Sequence, residues 1–217
     1  MADMPIRDAA TVIVLRDIAG DRHVLMGQRG AHAAFMPSKF VFPGGAVDAG
    51  DASVPLATAL TPTCSARLGQ DAAALAAAAI RELWEETGLA LGIADPWPDA
   101  PPDWQTFAHR GLRPSAAALR FVFRAITPPG RPRRFDARFF KVPAKALSGD
   151  LDDFSLASDE LSHLQWVPLA QARALDLPFI TEVVLAEVAR ADPYEAPASV
   201  PCFKNNDEES LFLRLRG

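Results

Sequence analysis

A chain of 217 residues with 49% hydrophobic and 23% charged side chains can bury a sizeable core, and this composition excludes a disordered or fibrous protein. Its formal net charge of −5 offers no basic field to nucleic acid or to an anionic membrane. A polyanionic substrate would therefore have to be met by local groups or by metal ions.

From the N-terminus, MADMPIRDAATVIVL has an early Asp and only a short apolar run, unlike a secretory signal or a membrane span. Thr11 to Arg16 (TVIVLR) and His23 to Gln28 (HVLMGQ) read as strands, and the DIAGD link between them predicts a hairpin. Val41 and Phe42 form a short strand entering the Pro43-Gly44-Gly45 turn. From Ala52 to Gln70 the pattern is weak, with Pro55, Pro62 and Gly69 breaking any long helix. Asp71 stands as the N-cap of AAALAAAAIRELWEET, the strongest helix in the chain, which Gly88 stops. Ile80, Leu83 and Thr87 recur at helical spacing and are expected in the core. The stretch ADPWPDAPPDW is irregular, and its Trp97 and Trp104 read as packing residues. LRFVFRAIT and DARFFKVP are strands joined by the PPGRPRR turn, and Gln165 to Pro168 is a short strand. Leu169 to Leu175 and Ile180 to Arg190 are predicted helices, broken by Pro178. The tail LFLRLRG is not a peroxisomal address, so a cytoplasmic location is the expectation. Cys64 and Cys202 share no metal-ligand spacing and read as reduced thiols. No repeat or linker divides the chain. One domain over residues 1–217 is expected, with strands on both sides of helical segments giving a mixed α/β (α+β) sandwich.

The chemistry concentrates in Arg81-Glu82-Leu83-Trp84-Glu85-Glu86-Thr87-Gly88-Leu89. Residues three and four apart share a helix face, so Glu82, Glu85 and Glu86 line one edge. Three carboxylates this close repel one another, and a hard divalent cation reverses that penalty by taking oxygen ligands and bridging to phosphate. A Glu-rich helix face is ordinarily just solvated. Here the context is richer, because a Gly-Gly turn precedes Asp48 and Asp51, either of which can pair with Arg81.

These residues resemble the Nudix box, G-x5-E-x7-R-E-U-x-E-E-x-G-U, with U a bulky aliphatic residue. Arg81 to Leu89 match every fixed position of its second half, and FPGG with Gly45-x5-Asp51 matches the first. Two departures stand out. Asp51 replaces Glu and is one methylene shorter, which predicts a weaker or water-bridged pairing with Arg81. Between Asp51 and Arg81 lie 29 residues rather than seven, an insertion at about 52–70 that leaves the helix whole. The interrupted box, FMPSKFVFPGG before it and PPGRPRRFDARFF after it resemble the branch that includes peroxisomal coenzyme A diphosphatase and its bacterial relatives.

The resemblance implies a Nudix fold, an α/β/α sandwich with a mixed central sheet, and hydrolysis of a diphosphate linkage with Mg²⁺ or Mn²⁺. It implies Glu82, Glu85 and Glu86 as metal ligands, with a backbone carbonyl of the Gly44-Gly45 turn adding an oxygen. Arg81 would orient the carboxylates and Asp51 would hold Arg81. The base would be a box Glu or a later one, for which Glu160 is the candidate; His163 reads as a surface residue. Arg29, Arg133 and Arg134 are candidate phosphate contacts, and Phe135 a candidate base-stacking ring. The 131–134 run reads equally as a solvated hairpin turn. The expected substrate is a nucleotide-derived small molecule, with coenzyme A or an acyl derivative first and ADP-ribose or a dinucleotide as the alternative. A catalytically silent nucleotide sensor is the alternative of another class, and the resemblance admits a homodimer.

Overall fold

The structure, a computed structural model, describes residues 5–33, 35–190, 192, 195–205 and 210–215. Strand β1 (Ile6–Ile18) turns into β2 (Asp21–Arg29) through Ala19 and Gly20, both at positive φ (51° and 91°). Two successive positive φ values match the right-handed twist of the flanking strands, which is why a two-residue link suffices. Short strands β3 (Phe40–Val41) and β4 (Gly44–Ala46) come next, and then helix α1 (Pro62–Leu68) and helix α2 (Ala72–Thr87). A small hairpin of β5 (Gly92–Ala94) and β6 (Leu112–Pro114) flanks the short helix α3 (Gln105–Ala108). The remaining elements are β7 (Arg120–Ile126), β8 (Arg134–Pro143), β9 (Leu161–Pro168), α4 (Phe179–Arg190), β10 (Val200–Asn205) and β11 (Ser210–Leu215).

The main sheet runs β11-β10-β7-β8-β1-β2-β3, with β4 also on β1 and β9 also on β2. It is mixed: β1 and β8 are parallel, as are β10 and β7, and the other pairs are antiparallel. The run TVIVL is apolar without alternation because both faces of β1 are covered. Ala10, Val12 and Val14 join the core beneath α2. Ile13 and Leu15 join the core beneath α4. The expected α/β/α layering with a mixed central sheet is therefore present. Among the described residues no helix is long and apolar enough to cross a membrane.

Several local expectations are corrected. Asp71 is the N-cap of α2, as expected, but its side chain makes no capping bond, because Gly69–Asp71 already form a 3-10 turn that feeds the helix. The insertion is less irregular than its prolines suggest. Thr61 caps α1, and Pro62 occupies the first helical position, where its missing N–H costs no bond. Leu169–Leu175 is only a 3-10 turn over Ala172–Ala174, its bonds spanning three residues rather than four, from Gln171 N–H to the Pro168 carbonyl (2.8 Å) and from Ala174 N–H to the Gln171 carbonyl (2.9 Å). Strands β10 and β11 are not expected from the sequence pattern. Trp97 and Trp104 pack against each other, buried, 5.8 Å apart, as expected of packing residues. Cys64 and Cys202 are buried and free.

Candidate active site

Helix α2 presents its acidic edge to the turn between β3 and β4. The run of alanines lets the helix lie close on the sheet, and its C-terminus closes at Gly88, whose left-handed φ of 72° lets its N–H reach the Trp84 carbonyl (2.8 Å). Leu83, Ile80 and Thr87 are buried on the core side. Glu82 and Glu86 then point at the glycine turn. Gly44 N–H donates to Glu86 Oε2 (2.7 Å). A Cβ on Gly44 would lie 2.5 Å from the Ala10 carbonyl oxygen, and one on Gly45 would overlap the Glu82 carboxylate. Both glycines are thus needed for close approach, one to the sheet and one to the acidic helix.

Arg81 is only 6% exposed and organises the cluster. Its Nε and Nη2 donate to the two oxygens of Asp51, both at 3.0 Å. Nη1 donates to Glu82 (2.9 Å) and Glu85 (3.1 Å), and Nη2 also reaches the Ala46 carbonyl (3.0 Å). The pairing with Asp51 is therefore direct and two-pronged, not weakened or water-bridged. The missing methylene is made up by a 3-10 turn at Ala49–Ser53, which brings the buried Asp51 forward while Asp48 N–H donates to it (2.8 Å). Asp48 itself stands 3.7 Å from Arg81.

This crowding sets the electrostatics. Burial pushes Glu86 up to about 8, against the Gly44 N–H bond that favours its charge, and Glu82 and Glu160 add repulsion. Burial likewise raises Glu82 to about 7, opposed by Arg81 and reinforced by Glu85 and Glu160. Glu85 is raised too, mostly by burial, with Asp103 and Glu160 contributing. Among the described residues no three His, Cys, Asp or Glu side chains are already gathered to hold a metal. Two of the glutamates are drawn to Arg81 and the third to the glycine turn. The donor set nonetheless suits a hard divalent ion. It offers three carboxylates on one helix edge, each destabilised as an anion by burial and by its neighbours, and a cation relieves both penalties.

Of the residues outside the box, Glu160 and Arg29 are brought to this edge. Leu161, the first residue of β9, pairs with Arg29, the last of β2. Glu160 adds repulsion to all three glutamates, and Arg29 adds attraction to Glu86. Arg29 Nε is buried without a hydrogen-bond partner. Phe135 is met edge-on by Phe35 at 5.2 Å, on a loop where Met36 and Ser38 hold positive φ. Phe35 lies 100 residues from Phe135 and carries no local signal that would have paired them. Arg134 is buried at the start of β8, where its Nε donates to the Thr127 carbonyl (3.3 Å), so it serves the hairpin rather than lying open to a substrate. Arg133 is exposed on the turn, and His163 is exposed, as expected.

A profile of the NUDIX domain matches residues 67–188, more than half of the chain. The chain belongs to the Nudix family. The match begins inside the insertion, so the glycine turn and Asp51 lie outside it and are joined to the Nudix helix only by the fold. A Caenorhabditis elegans protein named among the nudix hydrolases, as number 7, is 31% identical over 174 residues, covering 74% of this chain. The chain spans about half (51%) of that relative's length. The NUDIX hydrolase structure from Alicyclobacillus acidocaldarius is 30% identical, with a TM-score of 0.64 over 84% of this chain and 90% of the other. The NUDIX domain of Shewanella oneidensis NrtR, crystallised with ADP ribose, shares the fold at 12% identity, with a TM-score of 0.51 over 86% and 88%.

Proposed function

We propose that this Nudix protein is a metal-dependent diphosphatase acting on a nucleoside diphosphate derivative, with coenzyme A or an acyl derivative as its first substrate. The observation that carries the reading is the complete acidic edge of α2, held by Arg81 and faced by both Glu160 and Arg29. Nudix hydrolases generally use divalent metal ions, and Glu82, Glu85 and Glu86 would hold one here, with the Gly44-Gly45 turn offering a carbonyl oxygen. When bound, Mg²⁺ or Mn²⁺ supplies charge neutralisation and Lewis-acid polarisation of the phosphoryl oxygens.

The chain's own groups do the rest. Arg29, half-buried at the end of β2 and attracting Glu86, orients a phosphate through the accessible end of its guanidinium by charge-assisted hydrogen bonding. Glu160 accepts the proton of the attacking water as the water oxygen bonds to phosphorus and the bridging P–O bond breaks, its electron pair leaving on the departing phosphate. Phe35 and Phe135, packed edge-on, offer ring surface on which a base could stack. The coenzyme A preference is supported by the interrupted box and by the flanking FMPSKFVFPGG. Retention of all three glutamates speaks against a silent sensor.

A hydrolysis screen with Mg²⁺ or Mn²⁺ tests this reading. The panel holds coenzyme A, acyl-coenzyme A, ADP-ribose, NADH, diadenosine polyphosphates and nucleoside triphosphates, with products separated by mass. Release of 3′,5′-ADP and 4′-phosphopantetheine is the expected result. Cleavage of ADP-ribose alone overturns the substrate and keeps the chemistry. Tight nucleotide binding without any cleavage overturns the enzyme.

A further inference from the structure

Between Ser148 and Leu161 the chain leaves the sheet and crosses the C-terminal end of α2 before returning as β9. It is fastened along its whole length. Ser148 N–H donates to the Ala90 carbonyl (2.8 Å). Asp152 accepts two bonds from Arg16, at 2.6 and 3.0 Å. Trp166 Nε1 donates to the Leu151 carbonyl (2.9 Å), and the Arg16 guanidinium lies over the Trp166 ring at 5.2 Å. Two internal turns stiffen the middle, with Asp152 N–H on Asp150 (3.0 Å) and Ser155 N–H on Asp153 (2.9 Å). At the far end Ser158 N–H donates to the Glu85 carbonyl (2.7 Å), on the catalytic helix itself. Leu156 rests against Gly88, where an added Cβ would lie 2.9 Å from the Leu156 Cβ.

A connecting loop needs none of these fastenings, and each one costs conformational entropy. Glu160 comes immediately after them, two residues beyond Ser158 and one before the β9–β2 ladder begins at Leu161–Arg29. We propose that residues 149–160 are a preset arm that positions Glu160 over the acidic edge of α2, with Asp152 on Arg16 and Leu156 on Gly88 as its positioning contacts. Gly88 accordingly has two tasks: it stops the helix in a left-handed turn, and it leaves a flat seat for the arm. The inference rests on Glu160 facing the metal-binding edge and not on which substrate is cleaved.

The test uses the full chain and Mn²⁺ alone, titrated by calorimetry, so it decides even if no substrate is found. Glu160→Gln removes one nearby negative charge and is expected to weaken Mn²⁺ binding by about three- to tenfold. Asp152→Ala and Leu156→Gly let the arm drift and should produce a loss of the same size, with amide exchange at Ser158 speeded and the melting temperature little changed, because Asp152 is an exposed partner. Asp152→Glu keeps the carboxylate and should retain binding. In the Glu160→Gln background, the arm substitutions should cost nothing further. With a substrate in hand, the same variants lower kcat and leave KM. The inference is overturned if Mn²⁺ affinity ignores Glu160, or if the arm substitutions cost as much without Glu160 as with it.

Discussion

Replacing Asp51 by Ala tests how much of the fold's stability rests on the buried Arg81 pair. Asp51 is 2% exposed, and its two oxygens take two of the Arg81 donors as well as the Asp48 N–H. The substitution leaves a guanidinium that is 6% exposed with its Nε unpaired and one of its counter-charges gone. Breaking a buried pair by removing one partner costs about 3–5 kcal/mol, because the remaining charge stays desolvated. Some of that is recovered here, since Glu82 and Glu85 still hold Nη1, so the low end, about 3 kcal/mol, is the expectation. At about 2–4 °C per kcal/mol for a domain of this size, the midpoint should fall by roughly 6–12 °C. The assay is urea and thermal unfolding of the metal-free protein, with Asp51→Asn as the milder comparison. A loss below about 1 kcal/mol would refute the reasoning, because that is the worth of an exposed pair.

The remaining predictions concern the same edge. Glu85→Gln should lower metal-dependent turnover by about a hundredfold or more, the scale of losing several kcal/mol of transition-state charge stabilisation; unchanged activity would remove Glu85 from the ligand set. Glu82 and Glu86 are raised to about 7 and about 8 from an ordinary 4.5, so the folded state holds protons that the unfolded state has lost. Their contribution to metal-free stability is therefore full below pH 4.5 and is lost as the pH rises through 7–8, and melts in EDTA should show a higher midpoint at about pH 6 than at about pH 9. By the same linkage, Mn²⁺ binding near pH 7 should release protons, seen by calorimetry in buffers of different ionisation enthalpy. Gly45→Ala meets the movable end of Glu82 and should weaken metal binding more than stability, whereas Gly44→Ala meets the Ala10 backbone and should do the reverse. Metal titration set beside unfolding midpoints distinguishes the two.

The acidic edge was legible because its geometry is local. Spacing along one helix puts Glu82, Glu85 and Glu86 together whatever the remainder of the chain does. The hairpin of β1 and β2 was legible for the same reason. What the sequence concealed depends on partners far along the chain. Arg29 and Glu160 lie 131 residues apart and come to the same acidic edge only because Arg29 pairs with Leu161. Leu169–Leu175 has helical composition, yet a backbone bond to Arg22 holds its first residue on the sheet. β10 was hidden by Pro201, a residue disfavoured inside a strand. It is tolerated because pairing with β7 begins only at Cys202, so no ladder bond to β7 is asked of the missing N–H.

The insertion shows how the site survives having its sequence motif cut in two. Lengthening the Asp51–Arg81 connection from the family's seven residues to 29 raises the entropy of closing it by only about 1.3 kcal/mol, from (3/2)RT ln(29/7). Packing offsets this. Leu60 and Cys64 enter the core beneath α2, and Arg67 donates to the carbonyls of Pro197 (2.7 Å) and Ala198 (2.9 Å), tying α1 to the segment that leads into β10. The inserted helix is thus tied to the segment before β10 and to the buried face of α2 rather than to the acidic edge. Arg67→Ala should therefore cost about 2 kcal/mol of stability through two lost charge-assisted bonds at a partly exposed site, while Mn²⁺ affinity stays as it was. Urea unfolding measures the first and calorimetric titration the second. A loss of metal affinity in Arg67→Ala, with stability intact, would mean that the insertion supports the site itself.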